Sequence, residues 1–297
     1  MLLASNLVSL ASTAPTIEIA PGVHLPMVSD GYDFGKQTNA TTNYTSWLAL
    51  GGRGIDTAWS YFNQQAVGKS LREQSVVSRS DIFLTTKIEC MGSEASTIKA
   101  GEQDLTLLGM DYVDLLLIHA PYQAWGEPYS NCSKGPAGKA ARQATWRGME
   151  ALQRAGKARS IGVSNFNSDE LSEILEISAV PPALNQAAFC VGFADNATIA
   201  FQRQHKIAYQ AYSPLGGTDW GGHWSALSVP EVKAIAAAHG RSTAQVALRY
   251  VVQQGIPLAT ATNNPKYQQE DLGIFDFTLS AHEMAVLNSV RAPGPPP

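Results

Sequence analysis

The fold that the sequence predicts is α/β, a parallel eight-stranded (β/α)8 barrel of the TIM type with its helices outside, and three observations carry it. From residue 53 onward, short β-type runs alternate with amphipathic helical stretches, the rhythm of βα units built around a parallel sheet. Counting a weakly patterned first strand in LPMVSDGY (25–32), the strands number eight, which closes a barrel. An open dinucleotide-binding sheet would carry a G-x-G-x-x-G turn after its first strand. The chain has none, and its LGGRG (50–54) falls just before a strand.

Each element has its own justification. RGIDTA (53–58) precedes a helix over Asn63–Glu73, in which Ala66, Val67 and Leu71 recur at helical spacing. Within it, Gly68-Lys69-Ser70 imitates the end of a phosphate-binding loop, but the glycine required five residues earlier is Asn63, so Lys69 and Ser70 read as faces of an ordinary helix. DIFLTTK (81–87) precedes a helix from Ser93 to Leu108 rich in Ala, Leu and Ile. YVDLLLIHAP (112–121) leads through a polar loop to RQATWRGMEALQRAGK (142–157). There Trp146, Met149 and Leu152 share one face and Gly156 ends the helix.

ARSIGVSNF (158–166) is followed by a helix from Ser168 with Asp169 and Glu170 in its first turn. PALNQ (182–186) precedes a helix over Asp195–His205, and IAYQAYSP (207–214) opens into the loop LGGTDWGGHW (215–224). VPEVKAIAAAH (229–239) and TAQVALRYVVQQ (243–254) are helices, and IPLATAT (256–262) supplies the last strand. No linker separates two composition regimes, so one domain is expected over 15–292, with frayed ends at 1–14 and 293–297.

The 297 residues are 44% hydrophobic with a net charge of −4, so there is no basic footprint for nucleic acid. No apolar run is long enough to cross a bilayer. The N-terminal stretch has small residues near Ala14 but no basic n-region, and Asn6 sits in its apolar middle. A cytoplasmic monomer is therefore expected, and the sequons at Asn39, Asn43, Asn131 and Asn196 read as by-products of a Ser/Thr-rich chain. Cys90, Cys132 and Cys190 lie far apart with no CxxC, so they read as free thiols and no metal site is expected.

Chemistry in such a barrel sits at the carboxyl ends of the strands. Asp56 ends the second strand and Tyr61 follows it; Lys87 ends the third and His119 the fourth; Ser164 and Asn165 end the fifth, Gln186 the sixth, Tyr212 and Ser213 the seventh. Taken singly, Tyr61 reads as a loop aromatic, Lys87 as solvated and His119 as a core histidine. Together an acid, a phenol, an amine and an imidazole share one rim.

The segments GIDTAWSYFNQQAVGKSL, IFLTTK, DLLLIHAP, TWRGMEALQRAGKARSIGVSNF, LNQ and AYSPLG, in this order, resemble the aldo-keto reductases from about residue 20 to residue 290. The resemblance implies a (β/α)8 barrel that binds an extended nicotinamide cofactor and reduces a small-molecule aldehyde or ketone to an alcohol. It gives Tyr61 the role of proton donor, made more acidic by the Lys87 ammonium, with Lys87 held by Asp56. His119 would donate one N–H to the carbonyl oxygen. It further assigns Ser164, Asn165 and Gln186 to the carboxamide, Tyr212 to the nicotinamide face, and Ser213, Leu215, Gly216 and Thr262 to the rest of the cofactor; Lys266, beside Tyr267, is this chain's own candidate to swing toward a phosphate. The rim aromatics Tyr32, Trp59, Phe62, Tyr122 and Trp125, with Trp220 and Trp224, are candidates for an apolar substrate pocket.

Four departures stand out. Gly31-Tyr32-Asp33 replaces the family's Gly-Thr-Trp type of turn, and the C-terminal segment is short and proline-rich. IPLATATNNPKY (256–267) replaces the usual phosphate-gripping segment, so that Ala261 and Tyr267 stand where a lysine and an arginine would hold the 2′-phosphate. Asp271 stands where an asparagine would meet the adenine. The family default is NADP(H), and these residues make NAD(H) use an expectation too. The alternative reading is a catalytically weak barrel that binds the cofactor as a regulatory or redox-sensing protein.

Overall fold

The computed structural model describes residues 15–31, 40–123, 130–217 and 224–292. A hairpin of β1 (Thr16–Ala20) and β2 (Val23–Pro26) comes first. The barrel strands are β3 (Val28–Gly31), β4 (Gly54–Asp56), β5 (Phe83–Ile88), β6 (Val113–Ile118), β7 (Ala158–Ser164), β8 (Leu184–Ala188), β9 (Ala208–Tyr212) and β12 (Leu258–Thr260). They are all parallel and close in the order β12-β3-β4-β5-β6-β7-β8-β9. A two-residue ribbon of β10 (Gly216–Gly217) and β11 (Trp224–Ser225) flanks the ninth strand's loop.

Around the barrel run α1 (Ala40–Ala49), α2 (Gln64–Glu73), α3 (Glu94–Leu108), α4 (Lys139–Arg154), α5 (Ser168–Leu175), α6 (Asn196–Gln204), α7 (Pro230–His239), α8 (Thr243–Val252), α9 (Pro265–Leu272) and α10 (Ala281–Ser289). Their starts follow sequence chemistry. Reciprocal capping boxes open α5 (Asn167 with Glu170), α8 (Ser242 with Gln245) and α10 (Ser280 with Glu283), each satisfying two otherwise orphaned backbone donors. Gly68, the glycine of the phosphate-loop look-alike, lies where α2 meets the end of α3: a Cβ there would come within 1.8 Å of the Leu108 carbonyl oxygen. Lys69 is exposed and pairs with Glu73 one turn on.

Strand alternation sorts the core into two parts. Phe83, Leu115, Leu117 and Leu184 point inward and pack on Ile19, Val23 and Leu25 of the hairpin, which plugs the floor. Leu84, Ile88, Leu116, Ile118, Ile161 and Val163 point outward into the main core shared with the helices. The inward rows continue to Lys87 on β5 and to His119 just past β6, and so deliver both to the mouth of the barrel.

Two sequence expectations are corrected. The stretch 25–32 does not form one strand: it divides between the hairpin's second strand and the barrel's first, because Met27 bonds back to Pro15 while Leu258 bonds to Met27. Cys90 and Cys132 are not free thiols but form a disulfide, with Cα atoms 5.7 Å apart. The fold brings the end of β5 beside the β6–α4 loop, where Asn131 N donates to Cys90 O at 2.8 Å. Cys190 is free and buried, and burial pushes its thiol up to about 12. Tyr32, Trp125, Trp220 and both expected frayed ends lie outside the described residues. Among the described residues no helix is long and apolar enough to cross a membrane, and no cluster of metal-ligating side chains occurs.

Candidate active site

Asp56, at the last position of β4, points into the mouth and ion-pairs with Lys87. Its other oxygen accepts from Gln186 Nε2 at 2.7 Å. Lys87 Nζ also donates to Thr57 O at 3.1 Å and to Tyr61 Oη at 3.4 Å, and it lies 5.0 Å from the tyrosine ring centroid. Burial alone would push the lysine down, but the Asp56 carboxylate, then Tyr61 and the hydrogen bonds to both, more than offset it and hold the ammonium above its ordinary value. The amine is therefore a fixed buried cation beside the phenol.

Tyr61 is set by a single 3-10 turn over Trp59–Tyr61, in which its N–H donates to Ala58 O at 3.0 Å. A buried bond from Thr57 Oγ1 to Asn63 Oδ1, 2.7 Å, braces the loop across the tyrosine. The residue after it, Phe62, is left-handed at φ 56° and 66% exposed. Four non-glycine residues have positive φ among the described residues, and three of them, Phe62, Asn165 and Ser213, belong to the rim of this site. Such conformations gather where the surrounding structure holds backbone for function.

His119 stands edge-on to Tyr61, with ring centroids 5.6 Å apart and planes at 77°. Its backbone N–H donates to Ile88 O at 2.8 Å. Its Nδ1 lies 3.0 Å from Glu89 Oε1 and 3.1 Å from Ser60 Oγ. Neither Glu89 nor Ser60 figures in the sequence reading. Glu89 was findable: it sits two residues past Lys87 on the same inward row, and the β5–β6 register, which pairs Lys87 with Leu117, runs on to set it beside His119.

The residues expected to meet the nicotinamide converge at the ends of β7, β8 and β9, where Ser164 pairs with Gln186 and Ala188 with Tyr212. Ser164 Oγ donates to Gln186 O (2.8 Å), and Asn165 Nδ2 to His119 O (3.0 Å) and Ser164 Oγ (3.0 Å). Tyr212 Oη donates to Asn165 Oδ1 at 2.9 Å. A hydroxyl, two amides and a phenol ring at adjoining strand ends fit a flat ring bearing a carboxamide. Gln186 already gives its amide hydrogens to Asp56 and to Gln210 Oε1 (2.9 Å), so what it offers such a group is its carbonyl oxygen. Gln210 itself was missed from sequence because it lies two residues before the strand end.

The outlying candidates are less gathered. Leu215 O accepts from Ala226 N, and Gly216, at φ 70°, pairs with Ser225. Thr262 Oγ1 accepts from Asn264 N, and Lys266 Nζ lies 3.8 Å from Glu270 Oε1. Tyr267 is 51% exposed. Asp271 is buried, and burial, helped by the charge of Glu270, pushes it up to about 7, so it carries less negative charge toward a phosphate than the sequence suggests. The Trp224 ring is half-buried against the core and its Nε1 donates to Val191 O at 3.1 Å. Trp59 is half-buried on the tyrosine's turn, and Tyr122 lies under Lys134 Nζ at 5.2 Å.

The family model of the aldo/keto reductase family matches residues 31–292. The chain is 34% identical to a morphine 6-dehydrogenase of Pseudomonas putida over 95% of its own length and 93% of that protein. It superposes on a crystal structure of an aldo/keto reductase from Brucella melitensis with a TM-score of 0.81 and 34% identity, covering 93% of this chain and 99% of that one. A Bombyx mori aldo-keto reductase crystallised in complex with NADP gives 0.82 and 28% identity, over 94% and 93% of the two chains. With a closed parallel barrel and this rim of residues, the chain belongs to the aldo/keto reductase family, the NAD(P)H-dependent oxidoreductases of carbonyl compounds.

Proposed function

We propose that residues 15–292 act as one domain and a monomer that reduces an aldehyde or ketone, with Tyr61 as general acid. When bound, the reduced nicotinamide supplies a hydride. As the hydride reaches the carbonyl carbon, the π pair moves to oxygen and Tyr61 gives that oxygen its Oη proton, leaving an alcohol and a phenolate that recovers a proton from solvent. Lys87 stabilises the phenolate, Asp56 keeps Lys87 in place, and His119 orients the carbonyl oxygen. The observation that carries this reading is the buried chain Asp56–Lys87–Tyr61, with the lysine amine 3.4 Å from the phenol oxygen. A barrel that merely binds cofactor has no use for that chain, so the alternative reading is not favoured.

The test is a panel of aldehydes, sugars, quinones, ketosteroids and a rigid polycyclic ketone of the size that the Pseudomonas relative's name implies, run with both reduced cofactors. Consumption of cofactor with at least one carbonyl is expected. Quenching of tryptophan emission by cofactor, with no consumption across the panel, would contradict it. Ser164, Asn165, Gln186 and Tyr212 would hold the nicotinamide end, while Ser213, Leu215, Gly216, Thr262 and Lys266 would line the remainder. With Ala261 and Tyr267 at the phosphate positions, both NADPH and NADH would bind. For location, a cytoplasmic protein keeps its thiols reduced, and the Cys90–Cys132 bond favours an oxidising compartment instead; thiol alkylation in fresh cell extract separates the two.

A further inference from the structure

Glu89 is a buried carboxylate at the mouth that the reduction chemistry above does not use, and it touches the ring that orients the carbonyl. Its Oε1 lies 3.0 Å from His119 Nδ1, with Ser60 Oγ at 3.1 Å from the same nitrogen. An ionised carboxylate only accepts hydrogen bonds, so beside it Nδ1 must carry a hydrogen. Which ring nitrogen is protonated is set by what the other one bonds. With Nδ1–H committed to Glu89, a neutral ring leaves Nε2 as a lone pair, which repels a carbonyl oxygen. Nε2 donates only when the pair holds one proton more, on the ring or on the carboxyl group.

We propose that Glu89 is a positioning residue that makes His119 a one-proton switch. With the extra proton, Nε2–H donates to the carbonyl oxygen and favours reduction; without it, the Nε2 lone pair faces that oxygen and reduction slows. The inference rests on the reading that His119 faces the substrate oxygen. Among the described residues, charged and titratable groups near the pair include Tyr61 on its 3-10 turn, 5.6 Å from the imidazole, Lys87 on β5, bonded to Tyr61, and Asp56 on β4, bonded to Lys87. Ser60 and Asn165 add neutral contacts, the latter to the His119 carbonyl at 3.0 Å.

The experiment has one arm that does not use activity. In protein labelled with 15N at histidine, with His119→Asn to assign the signal, long-range 1H–15N correlation reports the ring tautomer across a pH titration. Above the titration midpoint the expected form of His119 is the Nδ1–H tautomer in the parent, and in Glu89→Leu it is the Nε2–H tautomer, with Ser60 placed to donate to Nδ1. A neutral Nε2–H tautomer that persists in the parent above the midpoint of the titration overturns the proposal without any variant having to fold. In the second arm, kcat/KM for carbonyl reduction in the parent falls with a slope of about −1 per pH unit through the midpoint seen by NMR. Glu89→Leu loses that limb and Glu89→Asp regains it. A limb that stays in Glu89→Leu overturns the switch. If the parent reduces no carbonyl, the functional reading falls and the tautomer alone decides the pair.

Discussion

Lys87 Nζ lies 3.4 Å from Tyr61 Oη while its charge is already paired with Asp56. The amine is thus buried, charged and immobile, and the phenol shares its field without the closer contact that a direct ion pair would need. Strand alternation produces this arrangement: Asp56 and Lys87 lie on inward rows at the ends of β4 and β5, and the turn after β4 folds Tyr61 over them. Removing the lysine should damage two things that can be measured apart.

Lys87→Met is expected to lower the carbonyl reduction rate by about two or more powers of ten, because the phenol loses the cation that favours its ionised form. It should also destabilise the fold by roughly 3–5 kcal/mol, since Asp56 is left as a buried charge without its ion-pair partner, though it still accepts from Gln186. Steady-state kinetics and urea denaturation read the two effects. Activity near that of the parent would remove Lys87 from the chemistry.

Asp104, behind β5, gives a stability prediction with a defined sign. Burial pushes its carboxyl up to about 7, against the pull of a hydrogen bond from Thr86 (2.7 Å) and of the Lys87 charge. Unfolded, it would titrate at about 3.9. Between these values the folded chain holds the extra proton, so this group's contribution to stability falls as pH rises through the window and levels off above about 7. Asp104→Asn keeps an acceptor for Thr86 and removes the titration. It should be more stable than the parent by on the order of 2–4 kcal/mol at about pH 8.5, with a smaller difference at about pH 5. Urea melts at both pH values check it, and an equal offset at both would contradict the assignment.

The Cys90–Cys132 bond closes a loop of 42 residues, worth about 4 kcal/mol in a chain-entropy account. Cys132→Ser, or reduction by a thiol, should lower the melting temperature. A variant as stable as the oxidised parent would show that the bond adds nothing.

Cofactor preference follows from side chains that are present. Charge-assisted bonds from cationic side chains to a phosphate contribute roughly 1.5–3 kcal/mol each, and Ala261 and Tyr267 carry no cation to make them, while Lys266 is within ion-pair reach of Glu270. NADPH should be favoured over NADH by less than about tenfold, or roughly 1.4 kcal/mol. Tryptophan quenching titrations at fixed ionic strength measure this. A hundredfold preference for NADPH would mean that another cation holds the phosphate.

The barrel was legible because its strands are bounded by turn residues and its helices carry period and caps, as with Asn167 and Glu170 at α5. The rim residues were legible because strand ends are where a parallel barrel places its chemistry. The hairpin that plugs the floor was not, since Thr16–Ala20 and Val23–Pro26 are short and their packing partners, Phe83, Leu115 and Leu184, are far away in sequence. α1, α9 and α10 escaped for the same reason: each has a weak apolar stripe and is held by its neighbours rather than by its own pattern. The disulfide depends on the meeting of two loops, which spacing alone does not reveal. Glu89 belongs to the legible class, because it follows from the alternation that identified Lys87.

The central claim is that Tyr61 gives the proton, and Tyr61→Phe tests it most directly, because it deletes one oxygen and leaves the ring packed. With the best carbonyl from the panel, the variant's reduction rate should fall by about two or more powers of ten, while its affinity for the reduced cofactor, read by tryptophan quenching, stays within a few-fold of the parent's. A variant that binds cofactor as the parent does and reduces the carbonyl at the parent's rate would contradict the account.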